Sequence, residues 1–307
     1  MEKAAGNPLF DGVYNQKIEA AVSQTLGKPY RIDSLKSTPR GMHKCAVFSG
    51  TLGVSTPYEV FVKLGRDRKQ SPDQFRIEAW QLDYLREYSP MATPKVLGLL
   101  LEEDLPLLIL EAVPAVEPQS RQDWEQIAQA LASLHRVTND RCGLETHTYL
   151  GVFRQDNTWK DSWAEFYGEC RLRDTMSLAI KAGNMTAESR GAVEKLIQRL
   201  PQIAPEPESF SLLHGDPWIA NLLFTGTKVV AIDCGLYYGN REIDLTTTEL
   251  FKPMPPVFLE AYSYFYPLEP GYHERRDLWK INQWLGHVTL FGERYMGTLM
   301  EAVNRYL

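Results

Sequence analysis

The stretch that most limits what this chain can fold into is 221–233. Two apolar runs, Leu222-Leu223-Phe224 and Val229-Val230-Ala231-Ile232, flank Thr225-Gly226-Thr227, which predicts a β-hairpin turning at Gly226. A hairpin returns its ends to one another, so Asn221 and Asp233, twelve residues apart, can face one cation. An amide oxygen beside a carboxylate suits Mg2+, a hard ion that keeps waters and leans on phosphates. Just upstream, the loop His214-Gly215-Asp216-Pro217-Trp218 brings Asp216 within four intervening residues of Asn221. There Asp216 could accept or orient the proton of a substrate hydroxyl. Positioning and charge neutralisation with little covalent work is what phosphoryl transfer needs. The plain alternative is a set of polar turn residues beside a hairpin.

A chain of 307 residues makes about two domains or lobes. With 44% hydrophobic and 23% charged residues it is globular, not collagen-like, low-complexity or disordered. Thirty-three basic residues against 39 acidic ones leave a net charge of −6. That is not the footprint of a nucleic-acid binder, although a local anion site remains compatible with it. No apolar run reaches the length of a membrane span, and the first residues lack the apolar core of a secretory signal. Cys45, Cys142, Cys170 and Cys234 form no C-x-x-C pair and read as small thiols in a reducing cytoplasm, the expected location.

Tyr58-Glu59-Val60-Phe61-Val62-Lys63 is β-rich and ends on a charge. Ser71, Pro72 and Gln74 suit the N-cap, first position and capping box of a helix. That helix carries Phe75, Ala79, Leu82 and Leu85 on one face, and Glu78 points from that face and needs a partner. The segment 106–111 reads as a buried strand. The segment 112–118, with two prolines, cannot continue a ladder well and is expected to connect two lobes. Ser120 can cap a following helix through Ile127, Leu131 and Leu134. From there the chain reads mostly helical, interrupted by a strand-rich island at 210–233. The expected layout is α+β: residues 1–111 a small lobe with an antiparallel sheet and one helix, 112–118 a hinge, and 119–307 a larger, mainly helical lobe.

The spacing His-x-Asp-x-x-x-x-Asn resembles the catalytic loop of the protein-kinase fold. Gly215 stands where protein kinases have Arg, as in small-molecule kinases similar to aminoglycoside phosphotransferases, and Asp233-Cys234-Gly235 stands for Asp-Phe-Gly. A closer resemblance rests on longer stretches. These are Leu212-Leu213-His214-Gly215-Asp216-Pro217-Trp218, then Tyr237-Tyr238-Gly239-Asn240-Arg241-Glu242-Ile243-Asp244-Leu245 and Thr248-Glu249-Leu250-Phe251. A second set runs from Gly151 through Asn157 and Trp159 to Trp163, Phe166 and Arg171-Leu172, and a third includes Tyr266-Pro267-Leu268 and 287–292. Over about residues 20–300 the chain resembles the fructosamine/ketosamine-3-kinase family.

The resemblance implies a two-lobed protein-kinase-like fold with ATP between the lobes. It implies ATP- and Mg-dependent transfer of the γ-phosphoryl group to the 3-hydroxyl of a free or protein-bound ketosamine, a deglycation repair activity. By motif position Asp216 is the base, and Asn221 and Asp233 hold metal. Lys63 meets the phosphates and is held by Glu78; Glu111 opens the hinge that meets adenine. Trp218 covers the sugar–amine face or is a plain core aromatic. Asn157 and Trp159 line the acceptor pocket or pack a helix connection. His214, Arg241 and Asp244 brace the catalytic and metal loops. A monomer or weak dimer is expected. The phosphate loop departs from the family, with the single Gly41 between Ser37 and Cys45 where adjacent glycines are common. Cys45 stands near the place where some relatives carry a redox-sensitive cysteine, in another register. Pro217 and Cys234 replace the usual Leu and Pro. Two other functions stay open: a kinase of another amino sugar or small alcohol, and a non-catalytic kinase-like binding module.

Overall fold

The computed structural model describes residues 9, 11–37, 43–102, 104–250 and 252–307. Gly41 lies outside the described residues. The chain forms two compact units, Met1–Glu87 with Ala92–Val116, and Tyr88–Met91 with Glu117–Leu307.

In the first unit β1 (Tyr30–Ser37), β2 (Lys44–Leu52), β3 (Thr56–Leu64), β4 (Val96–Leu100) and β5 (Leu107–Glu111) make one antiparallel sheet in the order β1-β2-β3-β5-β4. Side chains alternate across a strand, so β3 serves two cores. Val60, Val62 and Leu64 pack with Phe48, Ile109 and the helix α1 (Asn15–Leu26) on one face. Phe61 packs on the other face with Leu108, Leu110 and the Phe75, Ala79 and Leu82 stripe of α2 (Ser71–Tyr88). Lys63 follows Phe61 by two and therefore shares the α2 face.

Two local expectations differ. A second helix, α1, joins the single one expected; Ile18 and Val22 are its buried pair, and it stops at Gly27 in the left-handed region, φ 65°. The capping box at Ser71 does not form. The Ser71 hydroxyl accepts the N–H groups of Arg66 and Asp67, and Asp67 takes those of Lys69 and Gln70. A turn preceding the helix uses the serine as its acceptor, so the hydroxyl faces upstream.

The second unit starts at α3 (Arg121–His135), capped by Ser120 with Asp123 returning the bond to the Ser120 N–H. Short strands build its scaffold. β6 (Thr138–Asn139), β9 (Phe210–Leu213) and β12 (Tyr237–Gly239) form a sheet in the order β12-β9-β6; β7 (Thr148–Leu150) pairs β8 (Phe153–Gln155), and β10 (Leu222–Phe224) pairs β11 (Val229–Ala231). The strand content extends beyond the island expected at 210–233, because two- and three-residue strands carry too little periodicity to read. The helices α4 (Trp163–Tyr167), α5 (Asp174–Lys181), α6 (Ala187–Ile203), α7 (Glu242–Thr247), α8 (Pro256–Phe265), α9 (Tyr272–Phe291) and α10 (Met296–Asn304) complete it. No helix among the described residues is long and apolar enough to cross a membrane.

Candidate active site

In the first unit the antiparallel register sets Lys63 opposite Cys45 on one side and Leu108 on the other. Its ammonium lies 2.6 Å from Glu78 Oε1, and the two side chains are only 8% and 15% exposed. The carboxylate expected to need a partner has Lys63 as one. Lys63 is not a strand-end residue, since Leu64 continues β3. Glu111 ends β5, is exposed, and its N–H donates to the Lys95 carbonyl at 2.9 Å. Cys45 is buried within β2, its thiol donating to the His43 carbonyl.

In the second unit the loop 214–216 leaves β9 and is held from beneath by Asp244 on α7. The His214 N–H reaches Asp244 Oδ2 at 2.7 Å and the Gly215 N–H reaches Oδ1 at 3.0 Å. The residue between His and Asp must be glycine here. Gly215 has φ 86°, and a Cβ on it would lie 2.2 Å from the Gly235 carbonyl oxygen. That approach is closed by a bond from the Gly235 N–H to the His214 carbonyl at 2.9 Å. The Asp216 N–H donates to His214 Nδ1, so Nε2 carries the ring proton and faces the Cys234 sulfur at 3.4 Å. Burial pushes the His214 pKa down, opposed by the Asp244 and Asp233 charges. A buried neutral imidazole of this kind holds a loop in shape.

The hairpin forms as the sequence suggests, with Leu222 opposite Ala231 and a turn closed by the Thr225 N–H on the Lys228 carbonyl. The Ile232 N–H binds the Asn221 carbonyl at 3.0 Å, which brings the Asn221 and Asp233 positions together. The Asn221 amide donates to the Asp216 carbonyl and to Asp216 Oδ2 at 3.0 and 2.9 Å. With Nδ2 so engaged, Oδ1 is the amide atom available to a cation. Asp233 is exposed and is the sole non-glycine residue among those described with a positive φ, 53°. Burial pushes the Asp216 carboxyl up to about 7, with repulsion from Asp233 and then Asp244 adding, and the Asn221 bond opposing. Carboxylates that repel one another this way fit a divalent cation. Among the described residues no group of three or more His, Cys, Asp or Glu side chains could hold a metal ion. The two oxygen donors brought together, an amide and a carboxylate, are of the kind and number that Mg2+ takes from a protein when waters and phosphate complete its shell.

A profile described as fructosamine kinase matches residues 14–307. The chain belongs to the fructosamine kinase family. It is 32% identical over 248 residues to a protein of Vibrio parahaemolyticus described as a probable ketoamine kinase, covering 80% of this chain and 84% of that one. A Synechocystis protein with the same description is 31% identical over 95% of this chain and 96% of its own. The crystal structure of a protein assigned as a fructosamine-3-kinase in Haemophilus somnus superposes with a TM-score of 0.81 at 26% identity, over 98% of this chain and 100% of that one. An aminoglycoside phosphotransferase structure shares the fold, with a TM-score of 0.56 at 15% identity over 93% of this chain and 98% of its own. The fold is thus the two-lobed protein-kinase-like one, and the chain is an ATP-dependent phosphotransferase of the fructosamine kinase family.

The family's outer residues fall into two groups. Trp218 is half-buried beside Asp216, and Trp159, also half-buried, stacks on Tyr238 with ring centroids 6.2 Å apart. Asn157 does not fit a pocket wall. Its side chain has no exposed surface, and its amide donates to Thr146, Thr148 and Leu236 while Arg171 donates to its oxygen. Arg241 reaches the 262–269 segment, not the loop 233–235 it was expected to brace. It donates to the Tyr262 hydroxyl, the carbonyls of Tyr266 and Pro267, and Glu269, and its guanidinium stacks on Tyr266 at 3.8 Å. The sequence reading also passed over His135. This buried residue donates from Nε2 to Asp244 at 3.1 Å and accepts from the Tyr262 hydroxyl at 2.7 Å. Its one signal was position: four residues after Leu131 on the apolar face of α3.

Proposed function

We propose that this protein transfers the γ-phosphoryl group of ATP to the 3-hydroxyl of a ketosamine, with Asp216 as the base. The observation that carries the reading is the Asp216–Asn221 contact at 2.9 Å on a loop anchored by Asp244, in a chain of the fructosamine kinase family. Asp216 takes the hydroxyl proton as the acceptor oxygen bonds to the γ-phosphorus and the bond to the β-phosphate oxygen breaks, releasing ADP. Asn221 aims the carboxylate with its N–H and offers Oδ1 to the metal, and Asp233 offers its carboxylate. Mg2+ bound there would neutralise charge on the phosphates. In the first unit Lys63, oriented by Glu78, would bind phosphate oxygens, and the backbone after Glu111 would meet adenine. Trp218 and Trp159 supply flat apolar surface for the sugar–amine portion of the acceptor. Phosphorylation at the 3-position prepares the sugar to leave its amine, which would make the reaction a deglycation step.

Incubation of the protein with ATP, Mg2+ and a fructosamine or ribulosamine adduct of lysine tests this. ADP release with a matching gain of one phosphate on the adduct is expected. ADP release with aminoglycosides or small amino alcohols and none with either adduct would overturn the ketosamine assignment.

A further inference from the structure

Asp233 stands in a left-handed conformation that costs a non-glycine residue on the order of 1 kcal/mol or more, so its surroundings must fix it. Three anchors do so. Ile232, before it, is bonded to Asn221, and Gly235, two residues after it, is bonded to His214. The third comes from outside the catalytic loop and the hairpin. The Leu236 carbonyl accepts from Asn157 Nδ2 at 3.2 Å and from the Thr148 hydroxyl at 3.2 Å.

Asn157 is itself oriented. Its amide nitrogen also meets Thr148 Oγ1 at 2.9 Å and the Thr146 carbonyl at 3.0 Å. Its oxygen takes Arg171 Nη2 at 2.7 Å, which decides which end of the amide faces Leu236. Arg171 is 2% exposed, and none of its hydrogen-bond partners is a carboxylate. It donates to the Asp156 and Cys170 carbonyls and lies over the rings of Tyr237 at 3.9 Å and Phe166 at 4.6 Å. The inward aim of Arg171 comes from the π-helical turn Gly168–Arg173, whose wider winding shifts the register between α4 and α5.

We infer that Asn157, Thr148 and Arg171 are positioning residues for the metal ligand Asp233, acting through the Leu236 carbonyl. A buried guanidinium bonded only to neutral oxygens and two rings, with the Asp174 and Asp156 charges nearby, is still costly to keep for packing alone. Its return here is a rigid third anchor on a strained acidic residue. Partners that orient a metal ligand from behind typically govern about 10–100-fold in metal affinity. The inference rests on the assignment of Asp233 as metal ligand.

The test is direct binding of Mn2+ to the protein with saturating ADP, read by the loss of the free-ion electron paramagnetic resonance signal. Thr148→Val keeps the shape and removes the hydroxyl; Asn157→Asp keeps the Arg171 contact and removes the N–H donors. Each should weaken Mn2+ binding about 10-fold, below its own melting temperature. Tyr306→Phe removes a bond to the Glu274 carbonyl, remote from Thr148, Asn157 and Arg171, and serves as the control; it should lower Tm and leave Mn2+ affinity unchanged. If Asn157→Asp fails to fold, Thr148→Val carries the test. Wild-type Mn2+ affinity in Thr148→Val, or equal weakening in Tyr306→Phe, overturns the inference. Failure of the wild type to bind Mn2+ at all, or Asp233→Ala binding it as well as wild type, would instead remove the metal assignment beneath it.

Discussion

The Lys63 ammonium and the Glu78 carboxylate meet at 2.6 Å, both nearly withdrawn from water, because β3 and α2 present them to the same face of the sheet. Removing one partner of such a pair leaves the other charged and desolvated. Glu78→Gln should cost about 3 kcal/mol in urea unfolding and on the order of 10²-fold in kcat/KM for ATP. Unchanged ATP kinetics would separate the pair from nucleotide binding.

Asp216→Asn should abolish turnover by roughly 10²–10⁴-fold and at the same time stabilise the protein measured without nucleotide or divalent cation. The carboxyl is raised from 3.8 to about 7 in the folded state. Between those values the folded chain holds the proton more tightly than the unfolded chain, so this group's contribution falls as pH rises. The variant's advantage should be absent near pH 4 and reach about 1–3 kcal/mol at pH 8. Equal melting temperatures at pH 8 would contradict it.

Gly215→Ala tests the close approach of the loops 214–216 and 233–235. The added Cβ meets a backbone oxygen at 2.2 Å and the φ of 86° is unfavourable for alanine, so the two loops must separate. A loss of about 2–4 kcal/mol in stability is expected, with activity reduced further than the folded fraction alone explains. A variant as stable as the parent would mean that the loops part without cost.

Acid should weaken the fold through His135 and His214. Burial lowers both pKa values, so below about pH 6.5 the unfolded chain takes up protons that the folded chain refuses. Stability then falls as pH drops, by up to about 1.4 kcal/mol per pH unit for each histidine. Asp216 acts in the opposite sense over the same window, so the slope is cleanest in Asp216→Asn. Urea midpoints between pH 5.5 and 7.5 in that background would show it, and a flat profile would exclude it.

Much of the candidate site's arrangement was legible because it is local. Asp216, Asn221 and Asp233 sit on one loop and one hairpin, and the hairpin depends on Gly226 and its β-rich flanks within a dozen residues. Lys63 and Glu78 were legible from two periodicities, strand alternation and the helical stripe of Phe75, Ala79 and Leu82. The roles of Asn157 and Arg241 could not be decided from sequence for the same reason that His135 was missed. Each is a polar residue with a deciding partner beyond the reach of local pattern: Leu236 is 79 residues from Asn157, Asp244 is 109 residues from His135, and Glu269 is 28 residues from Arg241. Spacing carries no trace of such partners.

The sequence by itself determined the chemistry: which oxygens and which ammonium are available, on a strand, a helix and a hairpin, each specified by short-range pattern. Only the tertiary structure decided how those groups are held. Asp244 gathers the N–H groups of His214 and Gly215, Gly235 presses its carbonyl against Gly215, and a buried arginine on a π-helical turn orients the Asn157 amide toward the Leu236 carbonyl. These are contacts between desolvated polar groups, and they exist only where packing brings distant segments within hydrogen-bond reach and excludes the water that would replace them.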